Sequence, residues 1–410
     1  MDKVSVRMNI LFLTIAWPQK QDEHNLYTDL LECFARQGHN VVVVCSSENR
    51  YGKETRIAEE RGMKVLYVRT GNLTKVSFIK KGISNLMLGR QFKRAIRSHL
   101  SDESFDLILM STPPITLSGV YADLKKIFNA KTYLLLKDIW PQGIADVGAI
   151  KQNGLIYKYF SYQEQRLYAA SDYIGCMSPA NIQYIKTHNR IPAKTVVEEN
   201  PNSIRIRKFT VQKRRDIFAK YSIPADRCIF IAGGNFGVPQ GIPQFLSMLG
   251  KIDLSGAFFL FVGDGTESEK IRKYVRNHPN MPMAFVSRLP KDEYEQICES
   301  ADVGLILLDG RYSIPNFPSR LLSYLENRLP ILCCTDSCTD IGKIVEKYNC
   351  GRYVQQGDTQ NLENDIRELS SDKELREMMG NNSFHMLKSR YTVGHSYEII
   401  MKHFGEENED

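Results

Sequence analysis

Short apolar runs that do not alternate with polar residues recur along this chain, and helical stretches separate them. Runs rich in valine, isoleucine and leucine are typical of strands that are buried on both faces of a sheet. Amphipathic segments such as 25–38 and 86–100 lie between these runs. The order strand, helix, strand predicts a parallel sheet with helices on both sides. The strand candidates of the first half are 9–15, 41–45, 64–68, 105–111, 132–136 and 172–177.

The same alternation starts again after a polar, extended stretch at 197–210. With 410 residues, the chain is longer than one ordinary core requires. We therefore predict an α/β protein of two facing Rossmann-like, doubly wound domains with a central cleft, at 1–200 and 205–382. A last helix at about 383–404 is expected to pack back on the first domain. The strand candidates of the second half are 228–232, 257–262, 283–286, 302–308 and 330–334.

The composition of the sequence bears on the cellular compartment of the protein and on whether it binds a metal. The sequence lacks an apolar run of the ~20 residues that span a bilayer, and its first residues do not form a signal peptide. We therefore expect a cytoplasmic protein. Cys333, Cys334 and Cys338 lie close together, but neither a second cysteine pair nor histidines follow at the spacing of metal ligands. We expect no metal.

One charged segment indicates an anionic partner. Ten basic residues and no acidic residue lie between Arg61 and Ser101, and each Lys or Arg near an anionic membrane contributes about 1 kcal/mol. The segment predicts docking on an anionic membrane surface; the alternative is a helix that packs its apolar side on the sheet and leaves its charges solvated. The candidate membrane residues are Lys75, Lys80, Lys81, Arg90, Lys93 and Arg94. The apolar residues among them are Phe78, Ile79, Ile83, Leu86 and Met87.

The stretch AGGNFGVPQG at 232–241 follows an apolar run and feeds a helix. It matches neither Gly-x-Gly-x-x-Gly nor Gly-x4-Gly-Lys-Ser/Thr, which argues against a dinucleotide fingerprint and a P-loop. Glycines let the backbone approach a ligand, and the N–H groups of a helix start attract an anion; an ordinary tight turn is the alternative. The candidates are Gly234, Asn235, Gly237, Gln240 and Gly241. A second turn, Gly263-Asp264-Gly265, is explained equally well by capping of the helix that follows.

The segment IPNFPSRLLSYLENRLPIL, at 314–332, contains a helix start. Pro318 suits the first helical position, which places Ser319 and Arg320 in the first turn. A cation there opposes the helix dipole, unless a diphosphate lies at that end of the helix. The planar guanidinium fits phosphate oxygens, so we predict that Arg320 binds an anion, with a solvated arginine as the alternative.

Lys137, Asp138 and Trp140 follow the apolar run 132–136. Ligands of α/β sheets bind at the carboxyl ends of the strands, and a charged pair beside a Trp-Pro step suits a wall that holds a sugar. Aromatic faces pack on apolar ring faces, and carboxylates accept hydroxyl protons. A structural corner is the alternative.

Several motifs occur in order across nearly the whole chain: STPPITLSG, KDIWPQ, VGDG, ADVGLILL and FPSRLLSYLENRLPIL. Together they resemble the retaining GT-B glycosyltransferases of family 4, closest to the branch that makes bacterial capsule, O-antigen and exopolysaccharide. The resemblance implies transfer of a sugar with retention from a nucleoside-diphosphate sugar, expected to be a UDP-sugar, to a lipid-linked or polysaccharide acceptor. It also implies peripheral attachment to the inner face of the cytoplasmic membrane, without a cofactor or a metal.

The resemblance assigns roles to further residues. The nucleobase is expected near Arg288 and Leu289. The other donor-side candidates are Gly263, Asp264, Gly265, Pro318, Ser319 and Tyr324. The acceptor-side candidates are Trp17, Pro113 and Trp140. The candidates for the catalytic centre are Arg320, Asp138 and Lys137.

The chain also departs from the family pattern. Many members carry a Glu-x7-Glu pair near the donor site, and the corresponding residues here are Pro315 and Ser323. The basic residues that many members place in the glycine loop are replaced by Asn235 and Gln240. A larger share of the diphosphate charge is therefore expected to fall on Arg320 and on helix N-termini.

Two other functions stay open. A sugar-nucleotide 2-epimerase shares this architecture, and a non-catalytic partner subunit could bind a nucleotide sugar without transferring it. A Rossmann dehydrogenase is disfavoured by the missing glycine fingerprint. Nucleic-acid binding is disfavoured because neither an RNP motif nor a zinc finger accompanies the basic segment.

Overall fold

The structure, a computed structural model, describes residues 7–15, 17–18, 23–73, 78–207 and 210–405, and only the backbone of residues 78, 79 and 81. The chain divides into two compact units. The first unit is Met1–Arg205 together with Thr392–Asp410, and the second unit is Ile206–Tyr391.

Within the described residues, each unit is built on one sheet. The strands of the first unit are β1 (Asn9–Thr14), β2 (Asn40–Glu48), β3 (Arg56–Glu60), β4 (Met63–Thr70), β5 (Leu107–Ser111), β6 (Lys131–Leu136), β7 (Tyr173–Cys176) and β8 (Val196–Glu199). The strands of the second unit are β9 (Cys228–Asn235), β10 (Ala257–Asp264), β11 (Met283–Ser287), β12 (Val303–Leu307), β13 (Ile331–Thr335) and β14 (Gly351–Gln355). Their orders are β3-β4-β2-β1-β5-β6-β7-β8 and β11-β10-β9-β12-β13-β14. All neighbours are parallel except β3 and β4.

Helices follow most strands. In the first unit they are α1 (Leu26–Arg36), α2 (Phe78–His99), α3 (Ser118–Phe128), α4 (Gln142–Asp146), α5 (Leu155–Ala170) and α6 (Pro179–His188). In the second unit they are α7 (Asp216–Ala219), α8 (Ile242–Leu249), α9 (Ser268–Asn277), α10 (Lys291–Ser300), α11 (Arg320–Glu326), α12 (Ile341–Lys347), α13 (Thr359–Ser371) and α14 (Lys373–Arg390). The last helix, α15 (Val393–Met401), belongs to the first unit.

The predicted apolar runs form the buried centres of both sheets. Strands β5, β12 and β13 are buried along their whole length. Each unit has its own hydrophobic core, and the core of the first unit includes side chains of α1 and α15. The sequence prediction of parallel, doubly wound sheets is therefore confirmed for each unit.

The predicted helix at 383–404 is two helices instead of one. Helix α14 ends at Arg390, and α15 begins at Val393. The side-chain oxygen of Thr392 accepts the backbone N–H of His395, and the N–H of Val393 donates to the carbonyl oxygen of Ile204. The break arises because Thr392 caps a new helix start at the point where the chain returns to the first unit.

Other boundaries also differ. Helix α2 begins at Phe78, eight residues before the predicted start at 86. Helix α11 begins at Arg320, so Pro318 precedes the helix and Ser319 is its N-cap. Among the described residues, no helix has the length and apolar character needed to cross a membrane.

Candidate active site

The candidate donor residues lie at the carboxyl ends of neighbouring strands in the second unit. Arg288 and Leu289 follow β11 at the edge of the sheet, and the turn 263–265 ends β10. The turn 233–241 ends β9 in the centre, and 309–320 follows β12 beside it. The topology therefore gathers residues that are distant in sequence at one end of one sheet, where α/β proteins bind ligands.

Arg320, the first residue of α11, extends its side chain to the end of β9. Its Nη2 donates to the carbonyl oxygen of Asn235 at 3.4 Å, which is long for a hydrogen bond. Its Nη1 is buried and lacks a hydrogen-bond partner among the residues that the structure describes. A buried donor without an acceptor costs about 1–3 kcal/mol. A bound anion at the end of β9 would supply the missing negative charge.

Tyr324 supports the glycine turn from below. Its side chain is fully buried, and its hydroxyl oxygen accepts the N–H of Gly233 at 3.0 Å. Burial raises the pKa of Tyr324 well above its usual value. A Cβ at Gly233 would overlap the ring of Tyr294. The structure thus corrects the expectation that Tyr324 contacts the donor, because its side chain has no exposed surface and its hydroxyl is bonded to the turn.

Packing of the strand ends explains several glycines. Gly263 pairs with Gly234 across β10 and β9, and a Cβ at Gly263 would overlap the Gly234 carbonyl group. A Cβ at Gly265 would overlap the backbone of Phe236. A Cβ at Gly234 itself would meet open space, and Gly234, Asn235 and Asp264 are exposed. The strand ends therefore lie close together and leave an open surface above them.

The amide groups of the turn are mostly occupied. The N–H groups of Phe236, Gly237, Gln240 and Gly241 already donate within the protein. The acceptor for Gly237 is the side-chain Oε1 of Gln240 at 2.7 Å. The turn therefore occupies these four N–H groups and the Oε1 of Gln240 within the protein, and direct contact of the turn with a phosphate stays a prediction.

Ser323 and Pro315 occupy the two positions that correspond to the Glu-x7-Glu pair. The hydroxyl of Ser323 lies 3.8 Å from the Sγ of buried Cys298. Pro315 has a buried side chain without a charge. The structure therefore leaves the missing carboxylates without a substitute at these two positions.

A second cation, Arg311, lies close to the turn and was not predicted from the sequence. Arg311 donates from Nε and Nη2 to the carboxylate of Asp309, at 2.9 and 2.6 Å. The N–H of Asp309 donates to the carbonyl oxygen of Pro239 at 2.9 Å, which ties the segment after β12 to the glycine turn. The signal was the DGR sequence directly after an apolar run, where a charged pair suits a strand end better than a core.

In the first unit, Thr112 joins the segments that follow β5 and β6. Its Oγ1 accepts the N–H groups of Lys137 at 2.9 Å and Asp138 at 3.3 Å. The hydroxyl of Ser111 donates to Thr14 at 3.4 Å, which adds the end of β1. Asp138 and Pro113 are exposed at this end of the sheet.

Lys137 has a partner inside the protein. Its Nζ donates to the carbonyl oxygen of Asn200 at 3.0 Å, next to the end of β8. Partial burial lowers the pKa of Lys137 to about 7. The Asn200 amide in turn donates to Tyr133 and accepts from Ser396 of α15. Lys137 therefore ties β6 to the segment that leads out of the first unit.

The two tryptophans differ in exposure. Trp17 is 5% exposed and belongs to the hydrophobic core of the first unit. This corrects the expectation of an acceptor contact, because the ring packs inward. Trp140 is half-buried, and its ring meets that of Phe160 edge-on at a centroid distance of 5.7 Å.

The predicted membrane cations of α2 differ in their exposure and pairing. Lys80, Arg90 and Arg94 are exposed. Lys93 forms an ion pair with Asp123 of α3 at 2.5 Å, so its charge is shared within the protein. The structure does not describe Lys75 or the side chain of Lys81.

The apolar residues of α2 divide between two faces. Leu88, Phe92 and Ile96 are buried against the unit, whereas Leu86 is 60% exposed and Ile83 and Met87 are also exposed. The buried residues agree with the alternative in which the helix packs an apolar side on the unit and leaves charges solvated, whereas the exposed residues Ile83, Leu86 and Met87 lie outside that packing, and membrane docking stays a prediction.

Comparison with known proteins supports this architecture. Residues 213–386, which make up most of the second unit, match the family model Glycosyl transferases group 1. The chain is 23% identical over 247 residues to the probable glycosyltransferase WbjE of Pseudomonas aeruginosa, covering 60% of this chain and 61% of that protein. It is 21% identical over 252 residues to the putative colanic acid biosynthesis glycosyl transferase WcaI of Escherichia coli K12. The matched region thus spans about three fifths of the length of these relatives.

Solved structures resemble the whole chain. Sucrose-phosphate synthase from Thermosynechococcus elongatus superposes with a TM-score of 0.74 at 17% identity, covering 97% of this chain and 98% of that chain. Anabaena Alr3699/HepE in complex with UDP-glucose gives 0.68 at 14% identity, with 97% and 99% covered. The predicted GT-B class, two Rossmann-like α/β domains, is confirmed by these neighbours.

Proposed function

We propose that this protein is a glycosyltransferase that moves a sugar, with retention, from a UDP-sugar to a lipid-linked or polysaccharide acceptor in cell-surface polysaccharide synthesis. The observation that carries the proposal is the Arg320 guanidinium, whose buried Nη1 lacks a partner in the described part of the chain at the end of the central strand β9. The family match of residues 213–386 supports the reaction class. The name of the relative WcaI, a putative colanic acid biosynthesis glycosyl transferase, supports the pathway class.

The order of the strands supports a nucleoside diphosphate as the ligand. The order β11-β10-β9-β12 offers a partly apolar edge at Leu289, then the two glycine turns, then Arg320. This order of strand ends fits a nucleobase at the end of β11, a ribose at the end of β10 and a diphosphate at the end of β9. The complex of Anabaena Alr3699/HepE with UDP-glucose supports UDP as the nucleotide.

Stabilisation of the leaving group is the central chemical requirement. When the acceptor oxygen bonds to the anomeric carbon, the bond from that carbon to the diphosphate breaks, and the departing oxygen gains negative charge. A preorganised cation at this oxygen lowers the barrier by several kcal/mol. In the proposed mechanism Arg320 supplies this charge, and the leaving diphosphate takes the proton of the acceptor hydroxyl. Because an arginine fills this role, we expect that a chelator leaves turnover unchanged.

The acceptor is assigned to the first unit. Asp138 and Pro113 are exposed at the carboxyl ends of β6 and β5, and Thr112 holds the two segments together. We assign Asp138 to the hydroxyl groups of the acceptor or of the transferred sugar. The contact of Lys137 with Asn200 supports a positioning role for this lysine instead of direct contact with substrate.

A lipid-linked acceptor calls for a membrane surface. Helix α2 contains no acidic residue, and it exposes Arg90 and Arg94 together with Ile83 and Leu86. Cations beside exposed apolar side chains favour the interface of an anionic bilayer. We therefore assign the protein to the inner face of the cytoplasmic membrane as a peripheral protein.

Turnover of an Arg320→Ala variant tests the reaction. We expect a loss of about 10²–10³-fold, with partial activity in Arg320→Lys, which keeps the charge but loses the planar fork. The matched control is Arg367→Ala, an exposed arginine of α13 that pairs with Glu363. Turnover of Arg320→Ala within a few-fold of this control would contradict the assignment.

One observation favours a second function, that of a non-catalytic subunit that binds a nucleotide sugar but does not transfer its sugar. Ser323 points to Cys298, and neither Ser323 nor Pro315 provides a carboxylate. This function predicts that the pure protein binds a UDP-sugar while neither transfer nor hydrolysis of that sugar is detected. Turnover by the pure protein excludes it.

A further inference from the structure

Helix α5 exposes an apolar face that the sequence analysis did not single out. Leu155 is 88% exposed and Tyr162 62%, and Ile156 and Tyr159 are exposed beside them. These residues lie at i, i+1, i+4 and i+7, so they share one side of the first two turns of the helix. A contiguous patch of exposed apolar residues marks a surface that contacts a membrane or a protein partner.

The charges around this face select an anionic bilayer. Lys151 and Lys158 are exposed, and the single acidic residue of α5, Glu164, is buried. Helices α2 and α5 both contact the 3-10 turn Ile115–Leu117 and pack against α3. A Cβ at Gly89 of α2 would contact Thr116 and Val120, and the side chain of Gln163 in α5 accepts the hydroxyl of Ser118 at 2.5 Å. The exposed apolar residues of both helices precede these positions, so they adjoin the region where α3 begins. Tyrosines with aliphatic residues and lysines are the composition of membrane-interface segments.

The opposite side of α5 holds the segment that carries Asp138. The side-chain carboxyl group of Glu164 accepts the backbone N–H of Trp140, and the ring of Phe160 packs against the Trp140 ring. The hydroxyl of Tyr157 donates to Gln142 at 2.7 Å. A helix fixed on its outer face would consequently fix the position of the segment 137–142.

We infer that the first two turns of α5 insert into the interface of an anionic bilayer, and that this docking orders the segment 137–142. The surface defined by Leu155, Ile156, Tyr159 and Tyr162 supplies the apolar contact, and the cations of α2 and α5 supply the attraction. The ordering of 137–142 matters for catalysis only if the proposed glycosyl transfer holds, whereas the docking itself does not require that function.

Flotation of the full chain with vesicles tests the docking. Vesicles of phosphatidylglycerol and phosphatidylethanolamine are compared with vesicles of phosphatidylcholine, for the wild type and for Leu155→Ser/Tyr162→Ser. We expect binding to the anionic vesicles and a loss of about tenfold or more in the double variant. The control is Ile127→Ser, which removes an exposed isoleucine in the last turn of α3. Equal flotation of the double variant and the control would overturn the proposal.

A second variant keeps the test decisive if the double variant folds poorly. In a Trp17→Phe/Trp140→Phe background, where residue 155 carries the single tryptophan, Leu155→Trp is expected to shift its emission to shorter wavelength with anionic vesicles and to be quenched by brominated lipid. Unquenched emission from vesicle-bound protein would overturn insertion of α5. Failure to bind any vesicle would also overturn it and would point to a protein partner for this face.

The coupling to 137–142 has its own readout. The chain has two tryptophans, so Trp17→Phe leaves Trp140 as the single tryptophan, which is excited at wavelengths that tyrosine does not absorb. We expect its emission to change when anionic vesicles are added, and Phe160→Leu to reduce this change without weakening flotation. Constant Trp140 emission on bound vesicles would overturn the coupling. Thermal stabilisation by UDP, measured without lipid, reports on the proposed function independently.

Discussion

Single residues at the candidate site do two different kinds of work. Arg320 has a buried Nη1 without a partner among the described residues, and we propose that it binds the ligand, whereas Tyr324 and Gln240 form hydrogen bonds within the glycine turn. The sequence located all three near one strand end, since a strand that ends in glycines and an arginine at a helix start are local patterns. The direction in which each side chain points depends on the packing of β9, β10 and α11, and that information is not local.

Tyr324→Phe tests the supporting role. Removal of the hydroxyl leaves the buried N–H of Gly233 without its acceptor, which costs about 1–3 kcal/mol of unfolding free energy. Chemical denaturation measures this loss, with Tyr348→Phe on the partly exposed end of α12 as the control. Equal stability of the two variants would show that the contact contributes nothing.

Glu164 should make the stability of the first unit depend on pH. Burial raises the pKa of Glu164 from 4.5 to about 8. The folded state therefore binds more protons than the unfolded state between these values, and stability falls as the pH rises through this window. Glu164→Gln stays neutral and should lose this fall.

Thermal unfolding at about pH 5 and about pH 9 measures the difference. As the pH rises from about 5 to about 9, we expect the melting temperature of Glu164→Gln to fall less than that of the wild type. The exposed Glu54→Gln is the control. A Glu164→Gln variant that follows the wild type at both pH values would disprove the shift.

At the scale of elements, the central strands could be predicted, whereas three of the four edge strands could not. Strands β1, β2, β5 and β6 are buried apolar runs, and the sequence located each to within a few residues. The missed strands are β3, β8 and β14, which lie at or near sheet edges. Strand β3 reads RIAEE, because one side of an edge strand meets water and tolerates charge.

The break between α14 and α15 was missed for a related reason. Periodic apolar residues continue across it, and only the cap at Thr392 marks the new start. Thr392→Ala should lower the unfolding free energy of the first unit by about 1 kcal/mol. Denaturant titration measures the loss, with the exposed Thr187→Ala as the control. A loss no larger than that of the control would assign the break to something other than the cap.

At the scale of the whole molecule, the chain consists of two units with separate cores. Units of this size have cores large enough to fold cooperatively, so calorimetry should resolve two transitions. UDP binds the native state of the second unit in this account, and a ligand of the native state raises the melting temperature. We expect UDP to raise one transition and leave the other in place. A single transition, or an equal shift of both, would contradict this division.

Titration calorimetry with UDP and with uridine tests the central claim, that the Arg320 guanidinium binds the diphosphate. A charge-assisted hydrogen bond contributes about 1.5–3 kcal/mol, so Arg320→Ala should weaken UDP binding by about tenfold to a hundredfold relative to Arg367→Ala. Binding of uridine, which has no phosphate, should be the same in both variants. If Arg320→Ala binds UDP as tightly as Arg367→Ala does, the guanidinium does not hold the diphosphate and the account is wrong.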